Sequence, residues 1–247
     1  MTKRAPPISL VILTMAAIVL VAPWEALLRV EPPMPTAVEA TCGADASPST
    51  ESYRVAVLVG SLREDSYSRM LAEELKIIAP KTMDLEIVEV GDLPYYNPDL
   101  DEEGEPKSWR RFRRQIEASD AVLFVTPEYN RSVPAVLKNA VDVGSRPFRE
   151  GAMAQKPGAI ISLTTGRLGG FGANHHLRQA LVVVDVPVMH QPEAYVSRAG
   201  GLFDDDGRLV DEDTRSFMKG FLVSFEGWVD KNSPEAIDGL DQRVRRP

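Results

Sequence analysis

Strand-like and helix-like segments alternate five times between Tyr53 and about residue 230, and this alternation is the feature that most constrains the fold. The five strand candidates are largely apolar runs at residues 55–59, 85–90, 121–125, 157–164 and within 186–196. Uninterrupted apolar strands are typical of a parallel sheet that is covered on both faces. The order of the segments therefore predicts an α/β fold, a doubly wound five-stranded parallel sheet with helices on both faces.

The second strand candidate differs from the others because Glu86 and Glu89 interrupt it. A strand with one polar face suits the edge of a sheet. Of the two common doubly wound strand orders, an edge position for strand two favours the flavodoxin-like order 2-1-3-4-5. In that order the loops after strands one, three and four meet at one rim of the sheet, where ligands of open α/β sheets bind.

Two further segments carry patterns with specific predictions. The last helix, at about residues 213–229, bears Phe217, Phe221, Phe225 and Trp228 on one face, which predicts that these aromatic rings lie in the core. An acidic stretch within residues 91–106 reads as a mobile loop. The basic group Arg110–Arg114 that follows is interpreted as the solvated face of a short helix, in preference to a site for the 2′-phosphate of NADPH.

Residues 1–50 differ in composition from the predicted main domain at residues 51–232 and from a C-terminal tail at 233–247. Lys3 and Arg4 precede an apolar run at residues 8–22, and a segment rich in Pro, Ala, Thr and Ser follows it. The run is shorter than the ~20 residues of a membrane span and fits a signal-peptide core of roughly 7–15 residues. A leader or membrane anchor and an unstructured extension both remain open.

The formal net charge of -8 argues against non-specific binding to nucleic acid, because such binding requires a basic surface. The single cysteine, Cys42, excludes an internal disulfide and gives no sign of an oxidising compartment. We therefore predict a cytoplasmic protein, with a possible membrane tether through residues 8–22.

The loop after the first strand has the composition of a phosphate site. Ser61, Ser66 and Ser68 offer hydroxyl donors at the start of a helix, and Arg63 offers a cation. The N-terminus of a helix presents unpaired amides and a partial positive charge, which stabilise a bound anion. The alternative is that the serines only cap the helix and that Arg63 is solvated.

The loops after strands three and four suit a planar ring. Tyr129 and Asn130 offer a flat aromatic surface and an amide in a turn held by two prolines. The glycine-rich loop after strand four allows the backbone to approach a ligand closely. One anion site and two ring-facing loops on a single rim together predict a mononucleotide with a broad ring, for which FMN is the obvious candidate.

Three motifs also resemble the NADPH-dependent FMN reductase family, which includes quinone, chromate and azo-dye reductases. They are Val59-Gly60-Ser61-Leu62-Arg63 with Ser66 and Ser68, Thr126-Pro127-Glu128-Tyr129-Asn130 with the Ser132-Val133-Pro134 and Leu137-Lys138-Asn139-Ala140 segments, and Gly166-Arg167-Leu168-Gly169-Gly170. The resemblance implies a flavodoxin-like fold, FMN, NADPH or NADH as the donor, a small-molecule electron acceptor and a homodimer or homotetramer.

The family's cofactor contacts can be carried over by position. Ser61, Arg63, Ser66 and Ser68 would hold the phosphate. Pro127, Glu128, Tyr129 and Asn130 would line the isoalloxazine, and Thr164, Thr165, Gly166 and Gly169 would close over its other edge. The chain departs from the family at Val143-Gly144, where many members have tryptophan, and this change is expected to alter the dimer contact or the substrate rim.

The resemblance implies an oxidoreductase in which the flavin performs the chemistry, so we predict no catalytic side chain. Glu128 is expected to serve the structure of its turn, and His175 and His176 are expected to be surface residues without a metal. The main alternative is a flavodoxin-type electron carrier that needs a partner reductase. A flavin-free binding module of the same fold is a third reading.

Overall fold

The computed structural model describes residues 52–233, which form a five-stranded parallel sheet with helices on both faces. The strand order is β2-β1-β3-β4-β5, as predicted. The strands are β1 (Tyr53–Val59), β2 (Met83–Ile87), β3 (Ala121–Thr126), β4 (Gly158–Leu163) and β5 (Ala194–Val196). The helices are α1 (Tyr67–Ile78), α2 (Pro98–Glu103), α3 (Lys107–Glu117), α4 (Ala135–Gly144), α5 (Phe171–Val183) and α6 (Glu212–Asn232).

The burial of each strand follows from its position in the sheet. Every residue of β3 and β4 is buried, because these strands have a neighbour on both sides and helices on both faces. Strand β2 lies at the edge, where Met83 and Leu85 are buried while Asp84 and Glu86 are exposed. The alternation of polar and apolar residues in this strand therefore identified the edge correctly.

The hydrophobic core has two layers, one on each face of the sheet. Helices α1 and α6 cover one face with residues such as Leu71 and Phe225, and α3, α4 and α5 cover the other with residues such as Phe112 and Leu177. Helix α1 ends at Ile78, shortly before Pro80, because proline cannot continue a helix. The two layers hold the strand ends, and the loops that follow them, in fixed positions.

The prediction that Phe217 lies in the core was wrong, because its side chain is 43% exposed. The buried stripe of α6 consists of Met218, Phe221, Leu222, Phe225 and Val229. Adjacent residues of a helix are turned by about 100° from each other, so Phe217 falls just outside that stripe. Trp228 is half-buried at the edge of the stripe, and its indole N–H donates to the Pro187 carbonyl at 2.7 Å.

The predictions of an acidic mobile loop and of a solvated basic face were also wrong in part. The acidic stretch contains helix α2, and its carboxylates pair with the arginines of α3. Arg113 donates to Asp101 at 2.9 Å and to Glu105 at 2.7 Å, and its side chain is only 13% exposed. Because opposite charges lie close together along the chain, the two segments neutralise each other on folding.

Within residues 52–233, no helix is both long enough and apolar enough to cross a membrane. The apolar run at residues 8–22, where the leader or tether was predicted, lies outside the described residues. Cys42 and residues 234–247 lie outside them as well.

Candidate active site

An open pocket lies at the carboxyl ends of β1, β3 and β4, where the three predicted loops meet. It encloses about 500 Å³, including the part open to solvent, a volume typical of small-molecule sites. Nine of the twelve predicted cofactor-binding residues line it, with three others. The lining residues are Ser61, Arg63, Ser66, Tyr67, Ser68, Pro127, Glu128, Tyr129, Leu163, Thr164, Thr165 and Ala199.

The three serines at the β1–α1 junction line the pocket but differ in the hydrogen bonds that their hydroxyl groups make. Ser66 is the N-cap of α1, and its Oγ accepts from the Arg69 N–H at 3.3 Å. Ser61 Oγ accepts a long bond of 3.4 Å from the Arg63 N–H. Within residues 52–233 the hydroxyl of Ser68 makes no hydrogen bond, although the residue is only 2% exposed. Capping alone therefore does not account for all three serines.

The donors of this loop remain available to a ligand. A serine hydroxyl has one O–H donor besides its acceptor lone pairs, so Ser66 can cap the helix and still donate its proton. The first amides of α1 have no partner within the helix and add to the positive end of its dipole. The guanidinium of Arg63 is exposed and makes no ion pair with any of residues 52–233. This donor set fits a phosphate group.

The loop after β3 contains a tight turn at Tyr129. The backbones of Tyr129 and Ser132 exchange two hydrogen bonds of 3.1 and 3.0 Å, and Asn130 and Arg131 between them have φ values of 51° and 64°. Two successive positive φ values indicate a type I′ turn, in which asparagine is favoured. The turn leaves the Tyr129 ring 47% exposed at the edge of the pocket.

Asn130 does not take its predicted place beside the ring, and Ser132 links the loop to α5. Asn130 is exposed and does not line the pocket, so its observed role is to form the turn. Ser132 is not the N-cap of α4, since that position is Pro134. Ser132 Oγ instead lies 3.0 Å from Nδ1 of His176, which connects the turn to α5.

Glu128 joins the same loop to the start of α5. Its Oε2 accepts from the backbone N–H of Ala173 at 3.1 Å, and its side chain is 9% exposed. The N-cap of α5 is Gly170, which has no side chain to satisfy the first amides of the helix. The carboxylate of Glu128 supplies that cap, so the residue holds the turn in place while it lines the pocket.

The loop after β4 forms the opposite wall. Thr164 and Thr165 line the pocket, whereas Gly166 and Gly169 do not. Gly169 has a φ of 59°, and a Cβ atom there would lie 2.6 Å from the carbonyl carbon of Tyr195. Glycine is therefore required at this position because the loop packs directly against β5.

Three lining residues were not predicted. Tyr67 follows the N-cap of α1, and its ring stacks on Phe203 with centroids 5.8 Å apart. Leu163 is the last residue of β4, and Ala199 comes from the loop after β5. Tyr67 could have been predicted as a lining residue, because it lies between the predicted site residues Ser66 and Ser68. No local sequence pattern indicates that Ala199 lines the pocket.

The histidines of α5 are exposed and interact with neighbouring side chains. Nε2 of His175 lies 3.2 Å from the hydroxyl of Tyr195, and the rings of His175 and Phe171 are 4.1 Å apart. Burial, together with a hydrogen bond to Glu193, raises the pKa of Tyr195 to about 12. The tyrosine therefore keeps its proton across the neutral range, and its hydroxyl lies within hydrogen-bond distance of His175.

The departure at Val143-Gly144 changes the interior of the protein. Both residues are buried, and a Cβ atom at Gly144 would lie 2.7 Å from Cε of Met153 and 3.2 Å from the Phe112 ring. Both residues belong to α4 and lie in the same core layer as Phe112 of α3, so they do not reach the surface, and an effect on a dimer contact or the substrate rim stays a prediction.

Comparisons with known proteins show what the chain as a whole is similar to. The model of the NADPH-dependent FMN reductase family matches residues 53–201. A quinone reductase of Pseudomonas putida is 54% identical over 183 residues, which cover 74% of this chain and 98% of that protein. A 2-hydroxy-1,4-benzoquinone reductase of Burkholderia sp is 42% identical over 178 residues, 72% of this chain and 97% of that protein.

A solved structure shows the same fold at a similar level of identity. The flavoenzyme NAD(P)H:(acceptor) oxidoreductase FerB from Paracoccus denitrificans is 39% identical and superposes with a TM-score of 0.69. The comparison covers 73% of this chain and 99% of FerB.

Proposed function

The chain belongs to the NADPH-dependent FMN reductase family, and on this premise we propose that it reduces quinones at the pocket between the Ser68, Tyr129 and Thr164 loops. It is an NAD(P)H-dependent FMN oxidoreductase. A bound FMN would supply the redox chemistry between the nicotinamide and the acceptor, and the residues of this pocket would hold and orient it. The quinone as acceptor is suggested by the names of the relatives that are 54% and 42% identical.

The main observation in support of a cofactor site is the set of hydrogen-bond donors at the start of α1. Ser61, Ser66, Ser68 and Arg63 line one end of the pocket, and the hydroxyl of Ser68, a residue only 2% exposed, makes no hydrogen bond within residues 52–233. We assign the FMN phosphate to this end, because charged oxygens of a phosphate accept from such donors.

The ring of the flavin is assigned to the other end of the pocket. Pro127, Tyr129, Thr164 and Thr165 form two facing walls there. Glu128 holds the Tyr129 wall through its bond to Ala173, and the backbone bond from Ala199 to Thr164 at 2.9 Å holds the opposite wall. Fixed walls position a flat ring and leave its exposed face to the nicotinamide and the acceptor.

No side chain of the pocket is assigned a proton-transfer role. The carboxylate of Glu128 already accepts from a backbone amide and lies against Arg131, so its role is to position the turn. The residues of this chain therefore bind and orient the ring, and they leave one face of the pocket open.

The proposal is tested by a visible spectrum of the purified full chain, recorded without air. We expect flavin bands that bleach when NADPH is added and that return when 1,4-benzoquinone is added. Flavin bands that persist with NADPH would indicate an electron carrier that needs a partner. Bleaching by NADPH without recovery by the quinone would reject the proposed acceptor.

We propose that the chain also forms a homodimer through the face of α4 and α5. A groove of about 730 Å³ lies there, bordered by Val141 of α4, Val183 of α5 and the ring of Phe148. Phe148, Val182 and Val183 are 56%, 77% and 64% exposed. Neighbouring exposed apolar side chains of this kind mark interaction surfaces.

Replacing Val183 with glutamate should shift the protein from dimer to monomer. The change places a charge in an apolar contact, where it loses water without gaining a partner. Mass photometry of the full chain at low concentration measures the shift. Val223→Glu is the matched control, since Val223 is 59% exposed on α6, which covers the opposite face of the sheet. A dimer that persists in Val183→Glu, or that is lost equally in Val223→Glu, would contradict the assignment of this face.

A further inference from the structure

Two exposed arginines stand beside the pocket, where they can distinguish NADPH from NADH. We infer that Arg167 and Arg198, here called the outer arginine pair, bind the 2′-phosphate of NADPH. This phosphate is the chemical difference between the two nucleotides, and arginine is a common partner for it. The inference rests on the proposed function, and it names the residues by which the site selects its donor.

Backbone hydrogen bonds place the outer arginine pair next to the pocket. The N–H of Arg198 donates to the carbonyl of Gly166 at 2.9 Å, which joins the loop after β5 to the loop after β4. Ala199 and Thr165 both line the pocket. Arg198 is adjacent to Ala199, and Arg167 is two residues beyond Thr165. Since neighbouring Cα atoms are about 3.8 Å apart, both side chains start close to the pocket wall.

The outer arginine pair is also free to bind an anion. Both residues are exposed, and neither guanidinium has a hydrogen bond or ion pair with any of residues 52–233. Most other candidate arginines are occupied. The α3 group pairs with acidic residues through Arg110, Arg111 and Arg113, as described above for Arg113. Near the pocket, Arg178 is occupied by Asn174 and the Met189 carbonyl.

The two segments that carry the outer arginine pair are less acidic than the chain as a whole, whose net charge is -8. Residues 164–170 and 194–203 contain two arginines and no aspartate or glutamate, although Glu193 and Asp204 border the second segment. A phosphate monoester carries a charge of about -1.5 to -2 at neutral pH, and an arginine can bind it through two parallel hydrogen bonds. Arg63 stands on the first loop, so the FMN phosphate and the 2′-phosphate have separate cationic partners.

The inference is tested by calorimetric titration of the purified full chain with adenosine 2′,5′-bisphosphate and with adenosine 5′-monophosphate. We expect the bisphosphate to bind roughly tenfold or more tightly than the monophosphate, as contacts to a charged group allow. The double variant Arg167→Gln/Arg198→Gln should lose this preference. Arg114→Gln is the matched control, because it removes an exposed arginine from a cleft at the opposite end of the sheet, beside Arg54 and Asp84.

Steady-state kinetics give a second readout. In the double variant the KM for NADPH should rise roughly tenfold, while the KM for NADH, kcat and the FMN content stay at their original values. Equal binding of the two adenosine phosphates by the original protein would overturn the inference. So would a double variant that keeps the preference or loses its FMN. Failure of both nucleotides to reduce the flavin would instead reject the proposed function, and the titration would still test the arginines.

Discussion

Replacing Ser68 with aspartate should lower the affinity for FMN by at least about 100-fold. Ser68 lines the phosphate end of the pocket, and its hydroxyl has no hydrogen-bond partner among residues 52–233. The change removes one charge-assisted hydrogen bond, which corresponds to roughly 10- to 100-fold, and adds repulsion between the carboxylate and the phosphate. Fluorescence titration of the apoprotein with FMN measures the loss.

The matched control for this change is Ser108→Asp. Ser68 and Ser108 are each the second residue of their helix, α1 and α3, so a carboxylate at either position faces the positive end of a helix dipole. Ser108 does not line the pocket, and Ser108→Asp should leave FMN affinity unchanged. Ser68→Ala should weaken binding by only about tenfold, because it removes the donor without adding a charge.

Unfolding of the apoproteins in urea separates a binding effect from a folding effect. We expect Ser68→Asp to unfold cooperatively, since the helix dipole offsets part of the cost of burying the carboxylate. A variant that folds and retains the original FMN affinity would show that the phosphate does not bind at this end of the pocket. Ser68→Ala, which adds no charge, keeps the test informative if the aspartate variant does not fold.

The sheet was predictable because its signals are local. Apolar runs marked the central strands, and Glu86 identified the edge, since a polar residue at that position must point to water. The strand order then followed from the rules of doubly wound folds, and it brought the three polar loops together. Most residues of the candidate site could therefore be predicted from the strand order, which determines the loops that meet at one edge of the sheet.

The contributions that depend on tertiary contacts were harder to predict. Ala199 follows the last strand and lines the pocket, where its N–H donates to the carbonyl of Thr164 on the neighbouring loop. Other arginines flank Arg113 along α3, and this pattern indicated a solvated face. Its side chain is instead largely buried, where it pairs with Asp101 and Glu105 of the preceding segment. For Asn130 and Gly169, the residue type indicated a backbone conformation with positive φ. The sequence did not show whether that part of the backbone faced a ligand or another loop.

Replacing Gly172 with alanine should destabilise the protein by about 1–3 kcal/mol and weaken FMN binding. A Cβ atom at this position would lie 2.7 Å from the Arg131 carbonyl oxygen and 2.9 Å from Oε2 of Glu128. The first contact is with backbone, which cannot move aside without shifting the Tyr129 turn, and overpacking of this kind costs about 1–3 kcal/mol. Helix propensity alone predicts the opposite sign, because alanine is favoured over glycine by about 0.8–1 kcal/mol within a helix.

The matched control is Gly220→Ala in the interior of α6, where nothing lies within 4 Å of an added Cβ atom. That variant should be stabilised by about 0.5–1 kcal/mol and keep its FMN affinity. Urea unfolding of both apoproteins, combined with FMN titration, decides the question. If Gly172→Ala is stabilised like Gly220→Ala, the turn at Tyr129 is not packed against α5. If it is destabilised without any loss of FMN affinity, the position of that turn does not matter to the flavin, and the assigned ring site is wrong.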